Sequence, residues 1–188
     1  MILGKRVTLM NQPLENLASL LRERNAIDAK LSRLLDRPPE KGHIGEFIAS
    51  RILNIRLEES ASHKGSDGCF ADGPLRGRSV DFKYTSKLDG LLNINPQAVP
   101  DFFLVLAGPR TPPGSSRGET RPFLIESVHL FDAGQVVEDL KARGRKIGIA
   151  TSVLRATWEA AEIFPRERCP LLRLTPEQSM MFRLFGAV

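Results

Sequence analysis

A carboxylate and an amine lie two residues apart in the segment Arg78–Thr85, which reads RSVDFKYT. In a strand, side chains alternate between two faces, and the apolar residues of this segment would share one of them: Val80, Phe82 and Tyr84. That face is typical of a protein core. The other face would carry Asp81 and Lys83 about 7 Å apart.

A second carboxylate lies upstream, in a segment that is also predicted to be a strand. Gly65–Phe70 would form the strand, and Ala71–Gly77 would form the turn that leads into the next one. A hairpin centred on Pro74 would place Asp67 opposite Asp81, because the two lie at equal distances along the chain from its centre.

Two directly opposed carboxylates repel each other, and a cation between them removes the repulsion. A hard cation such as Mg²⁺ prefers carboxylate oxygens, and Glu46 on a neighbouring predicted helix could supply a third oxygen, directly or through water. Such a metal lowers the pKa of a bound water and stabilises charge on a phosphodiester. Lys83 could orient that water or neutralise the developing charge.

These residues resemble the PD-(D/E)xK, or restriction-endonuclease-like, nuclease superfamily. Its members carry an acidic residue on a first core helix, an Asp near the end of a strand and (D/E)-x-K on the next strand; here these match Glu46, Asp67 and Asp81-Phe82-Lys83, although Ser66 stands where the motif has Pro. The resemblance implies an αβββαβ core, Mg²⁺ or Mn²⁺, and usually a DNA substrate. It assigns Asp67, Asp81 and Glu46 as ligands, with the Phe82 carbonyl as a further one.

Two short segments, Gly42–Phe47 and Ser116–Pro122, are also similar to a small bacterial family that carries no assigned activity. This second resemblance implies nothing further about chemistry.

The elements around these residues predict a mixed α/β protein, and the resemblance implies that its sheet is a restriction-endonuclease-like mixed sheet flanked by helices. Strands are expected at 54–58, 66–70, 78–85, 101–107, 122–130 and 146–150. Helices are expected at 40–53, 133–143, 152–164 and from Thr175, where Thr followed by Pro is a start signal.

The first 36 residues predict a helical hairpin, with Asn25 or Asp28 starting its second helix and Pro38 following its end. Its stripe of leucines is interpreted as core, with a dimer contact as the alternative. We therefore expect a helical extension at 1–38 and a nuclease-like core at 39–188.

The composition favours a polyanionic partner, because the net charge is +5 and the isoelectric point is near 9.6. Residues 108–122 predict a basic loop, and we expect four side chains to contact nucleic acid, most simply DNA: Lys87, Arg110, Arg117 and Arg121. The chain shows no secretory signal and no apolar run of membrane-spanning length, which favours the cytoplasm and excludes a membrane partner.

Two other functions fit the same sequence. The chain could be a catalytically inactive nuclease-fold module that binds DNA, or an interaction protein that acts as a homodimer or as the partner subunit of a larger assembly. Metal-dependent DNA cleavage separates the leading interpretation from both.

Overall fold

A computed structural model describes residues 2–58, 65–110 and 121–187, with side chains from residue 12 onward. The chain forms two compact units, Met1–Ile44 and Gly45–Val188. The division falls within the second helix, C-terminal to the boundary that the sequence predicted at residue 38.

The N-terminal unit contains one continuous helix, α1 (Ile2–Leu35), so the predicted helical hairpin is wrong. Asn25 and Asp28 lie among strong helix formers, and Arg24 forms an i,i+4 ion pair with Asp28 at 3.4 Å, so neither residue starts a new helix. The interpretation of the leucine stripe as core is also wrong, because Leu14, Leu20 and Leu34 are each more than 60% exposed.

The second unit is built on a six-stranded mixed sheet in the order β1-β2-β3-β5-β6-β8. The strands are β1 (Ile55–Leu57), β2 (Gly68–Phe70), β3 (Ser79–Thr85), β5 (Phe102–Ala107), β6 (Ser127–Asp132) and β8 (Glu162–Phe164). A separate two-stranded sheet pairs β4 (Leu91–Leu92) with β7 (Thr151–Ser152). The mixed α/β class predicted from the sequence is confirmed.

Strand β3 pairs with β2 in the antiparallel direction on one side and with β5 in the parallel direction on the other. Residues 86–101, which connect the two parallel strands, contain β4 and no α-helix, unlike the implied αβββαβ order. At the start of both strands, Asp101 accepts hydrogen bonds from the Ser79 backbone and hydroxyl and pairs with Arg78 at 2.9 Å. These contacts fix the relative position of β3 and β5.

The helix α2 (Lys41–Leu53) agrees with its prediction and buries Ile48, Ile52 and Leu53. A Cβ built on Gly45 would lie 3.6 Å from the Tyr84 Cβ, so the helix packs on the Tyr84 face of β3. The opposite face of the sheet carries a core cluster that includes Phe103 and Val105.

The C-terminal third departs most from expectation. The predicted helix 152–164 is only α4 (Arg155–Ala160), because Glu162–Phe164 pairs with β6 as β8 and buries Ile163. The strand expected at 146–150 is absent; β7 begins at Thr151, after Ala150 adopts a positive φ of 56°.

Two helices match their predictions closely. Asp132 caps α3 (Ala133–Ala142), and Thr175 forms a capping box with Gln178 at the start of α5 (Pro176–Arg183). In the described parts of the chain, no helix combines the length and apolar character that a bilayer crossing requires.

Candidate functional site

The two strands that carry the predicted acids pair in the expected register. Gly68 lies opposite Val80 and Cys69 opposite Ser79, which is the pairing of a hairpin centred on Pro74. The ladder ends at Gly68, and the next residue along β2 is Asp67. The pairing does not continue to Asp67, because its N–H donates to the carbonyl of Val80, which is the partner of Gly68; the Asp67 and Asp81 carboxyl groups are nonetheless close enough to interact.

Asp67 forms hydrogen bonds to β3 with both its backbone and its side chain. The Asp67 backbone N–H donates to the Val80 carbonyl at 2.9 Å, and the Asp67 Oδ2 accepts a hydrogen bond from the Phe82 backbone N–H at 2.7 Å. Backbone groups of alternate residues point to the same side of a strand, so the Phe82 carbonyl faces the same side. The carboxylate therefore closes the β2–β3 ladder, and among the described residues no strand pairs with the second half of β3 on this side.

Asp81 and Lys83 share the opposite face of β3 from Val80 and Phe82, as predicted from the alternation. Val80 and Phe82 are buried, whereas the Asp81 and Lys83 side chains are 20% and 21% exposed. The Lys83 Nζ lies 2.9 Å from both Asp81 oxygens and 5.5 Å from the centre of the Phe103 ring. The amine thus donates to the carboxylate while resting on an aromatic face.

The electrostatics of Asp81 follow from this crowding. Burial raises the pKa of the Asp81 carboxyl above its ordinary value, Lys83 acts to lower it, and the neighbouring Asp67 carboxyl raises it again. Asp67 and Asp81 together retain an excess of negative charge when both are ionised, because the Lys83 amine is a single cation that contacts Asp81 alone among them in the described contacts. Such a pair attracts a further cation.

Glu46 lies on α2, next to Gly45, where a Cβ would lie 3.6 Å from the Tyr84 Cβ. Across residues 2–58, 65–110 and 121–187, no group of three or more His, Cys, Asp and Glu side chains is arranged to hold a metal. The described carboxylates at this site are therefore a pair rather than a triad.

Two carboxylates and a backbone carbonyl remain a reasonable donor set for Mg²⁺. This ion binds proteins through one or two carboxylates and keeps several waters or substrate phosphate oxygens. Asp67, Asp81 and the Phe82 carbonyl, which lies on the unpaired side of β3, match that pattern.

Three of the four predicted nucleic-acid contacts are described, and they fall at two positions. Arg121 precedes Phe123, which stacks on Tyr84 at 4.4 Å between ring centres. Lys87 and Arg110 lie together in the wall of a cavity at the far end of β3. Arg117 lies outside the described residues.

The same cavity contains residues that the sequence did not single out as functional. Arg155 and Trp158, both on α4, line it together with Lys87 and Arg110. Trp158 is 2% exposed. No spacing signal links α4 to the ends of β3 and β5, because the association depends on tertiary structure alone.

In comparisons with known proteins, no family model and no curated protein matches this chain.

Proposed function

We propose that this protein is a metal-dependent nuclease that hydrolyses DNA phosphodiester bonds. The observation that carries the proposal is the meeting of Asp67 and Asp81, from two paired strands, beside the Lys83 amine. The basic composition of the chain also favours a polyanionic substrate.

In this proposal Asp67, Asp81 and the Phe82 carbonyl hold Mg²⁺ or Mn²⁺. When bound, the ion supplies a Lewis acid and lowers the pKa of a coordinated water. Glu46, as implied by the family resemblance, would assist as a further oxygen ligand, directly or through water.

Lys83 has two tasks in succession. Before the cation binds, its ammonium group neutralises Asp81 through two contacts of 2.9 Å. With Asp81 holding a cation, the amine would be free to donate to a water or to a phosphate oxygen from its place over the Phe103 ring. Its position on a sheet strand keeps this donor within a narrow range of orientations.

The test is cleavage of supercoiled, linear and single-stranded DNA with Mg²⁺ or Mn²⁺. We expect Lys83→Ala to lower the cleavage rate by at least a hundredfold, within the range of a lost general acid–base or charge-stabilising group. Lys141→Ala, which removes an exposed lysine from α3, is the matched control and should cleave at the wild-type rate. Equal rates for Lys83→Ala and wild type would place the chemistry elsewhere.

The second candidate is a nuclease fold that binds DNA without cutting it. The observation that favours it is the pairing of Lys83 with both Asp81 oxygens, because this contact neutralises the Asp81 carboxylate without a metal. Calorimetric titration with Mn²⁺ separates the two functions, because the nuclease requires saturable binding that Asp81→Asn removes.

A further inference from the structure

A cavity of about 320 Å³ lies beyond the carboxyl ends of β3 and β5, the two parallel strands. Ligands of open α/β sheets bind in the crevice outside the carboxyl ends of their parallel strands. Here Thr85 and Ala107 end their strands side by side, and the segments that follow them form part of the cavity wall.

Backbone hydrogen bonds hold these two segments together. Gly108 donates to the Thr85 carbonyl at 2.8 Å, and Leu88 donates to the Pro109 carbonyl at 3.3 Å. A side chain at position 108 would collide with the Ser86 carbonyl, so the close approach requires glycine. This wall of the cavity is therefore a preformed part of the sheet.

The charged residues of the wall favour an anion. Three cationic side chains line it, Lys87, Arg110 and Arg155, against the single carboxylate of Asp89. Lys87 approaches Asp89 only to 3.8 Å, and Arg155 pairs with Glu159 through its Nε at 2.7 Å. A guanidinium that is held at its Nε can still present its terminal nitrogens to a phosphate.

The apolar part of the wall contains a buried donor that lacks an acceptor. Leu88, Val153 and Trp158 supply the apolar surface. Trp158 is 2% exposed, and its Nε1–H finds no hydrogen-bond partner among the residues that the structure describes. Leaving such a group unsatisfied costs about 1–3 kcal/mol, which an acceptor on a ligand would recover.

An adjoining cavity of about 420 Å³ shares four residues with the first: Leu88, Arg110, Arg155 and Trp158. Its charges balance, because Arg110, Arg155 and Arg166 are matched by three glutamates: Glu126, Glu159 and Glu162. Because Arg110 and Arg155 lie in the walls of both cavities, an anion in the first cavity would be held by Lys87 and by the terminal guanidinium nitrogens of these arginines, while the second cavity suits the neutral part of a larger ligand.

We infer that the first cavity binds a nucleoside phosphate, with its phosphate on Lys87, Arg110 and Arg155 and an acceptor of its organic part on the Trp158 indole N–H. The ligand is either a free mononucleotide or the phosphorylated end of a nucleic-acid strand, which present the same chemistry. The inference does not depend on the proposed hydrolysis, because the cavity contains neither Asp81 nor Lys83.

Trp158 is the one tryptophan of the chain, so its fluorescence reports on this cavity and on the adjoining one whose wall it shares. The metal-free protein is titrated at pH 7.5 with thymidine 5′-monophosphate, thymidine, and oligothymidylates with or without a 5′-phosphate, with excitation near 295 nm. We expect a saturable fluorescence change with the phosphorylated compounds and none with thymidine. Binding of the 5′-phosphorylated oligonucleotide but not of the mononucleotide would identify the strand end as the source of the phosphate.

Two substitutions locate the ligand. Arg110→Gln alters an exposed side chain and should weaken binding at least tenfold, whereas Arg143→Gln, beyond the end of α3, should leave it unchanged. Trp158→Phe keeps an aromatic ring without its donor, and by calorimetry it should bind several-fold more weakly. The inference is overturned if no phosphate ester gives saturation, if thymidine binds as well as its phosphate, or if Arg110→Gln binds with wild-type affinity.

Discussion

His129 gives the chain a pH-dependent stability whose size can be worked out from its surroundings. The ring is 2% exposed, and each of its nitrogens has a hydrogen-bond partner. The Nδ1 is 2.9 Å from the Trp158 carbonyl oxygen, and the Nε2 is 2.9 Å from the Ser127 hydroxyl. The carbonyl can only accept, so Nδ1 carries the proton of the neutral ring and Nε2 accepts from Ser127. Protonating Nε2 would turn an acceptor into a second donor.

Burial lowers the pKa of His129 from 6.5 to about 4, and the nearby Arg110 charge acts in the same direction. The unfolded chain therefore takes up a proton at a higher pH than the folded chain does. The stabilising contribution is fully present above pH 6.5 and is lost as the pH falls toward 4. At 1.36 kcal/mol per pKa unit, the loss between pH 7.5 and pH 5 is roughly 2 kcal/mol.

The assay is urea unfolding of wild type and His129→Gln at pH 7.5 and pH 5. Gln is neutral throughout, so the free energy of unfolding of the variant should fall by roughly 2 kcal/mol less than that of the wild type over this range. Other groups that titrate, including Asp81, contribute equally to both proteins and cancel in the comparison. Parallel changes in the two proteins, or a His129 ring that titrates near pH 6.5 by NMR, would refute the reasoning.

Three further substitutions test the structure elsewhere. Along α1, exposed Leu20 and Ile27 belong to a stripe with the 3–4 spacing of a coiled coil, so we expect a dimer by light scattering and a monomer after replacing both with Glu. A Cβ at Gly68 would lie 2.5 Å from the Arg56 carbonyl oxygen; Gly68→Ala should cost about 1–3 kcal/mol in urea unfolding, whereas Gly148→Ala, with open space around it, should cost much less. Thr175→Ala removes the cap of α5 and should cost about 1 kcal/mol by the same measurement.

The parts of the fold that local chemistry determines could be predicted from the sequence. The turn between β2 and β3 contains Gly73 and Gly77, both with positive φ, around Pro74. These residues fix where the hairpin folds back, and the fold-back fixes the register in which Gly68 pairs with Val80, each next to one of the two acids. The alternation of β3 then assigns Lys83 to the same face as Asp81.

The parts that depend on distant partners could not be predicted. Glu162–Phe164 follows a helix and has no strand signal of its own; it becomes β8 because the edge of β6 is available to pair with it. Glu46 matches the family pattern in sequence, yet the packing of Gly45 on Tyr84 determines where its helix lies. The association of Trp158 with Lys87 and Arg110 likewise arises only when the sheet is assembled.

The hydrogen bond from the Phe82 N–H to Asp67 has a practical consequence for mutagenesis. The Asp67 side chain holds the end of the β2–β3 hairpin as well as being a candidate metal ligand. Asp67→Ala would therefore abolish any activity in two ways, by loosening the hairpin and by removing the ligand. Asn keeps an oxygen that can accept the Phe82 N–H and removes only the charge. A loss of function in Asp67→Asn, with unfolding unchanged, would assign the chemical role separately from the architectural one.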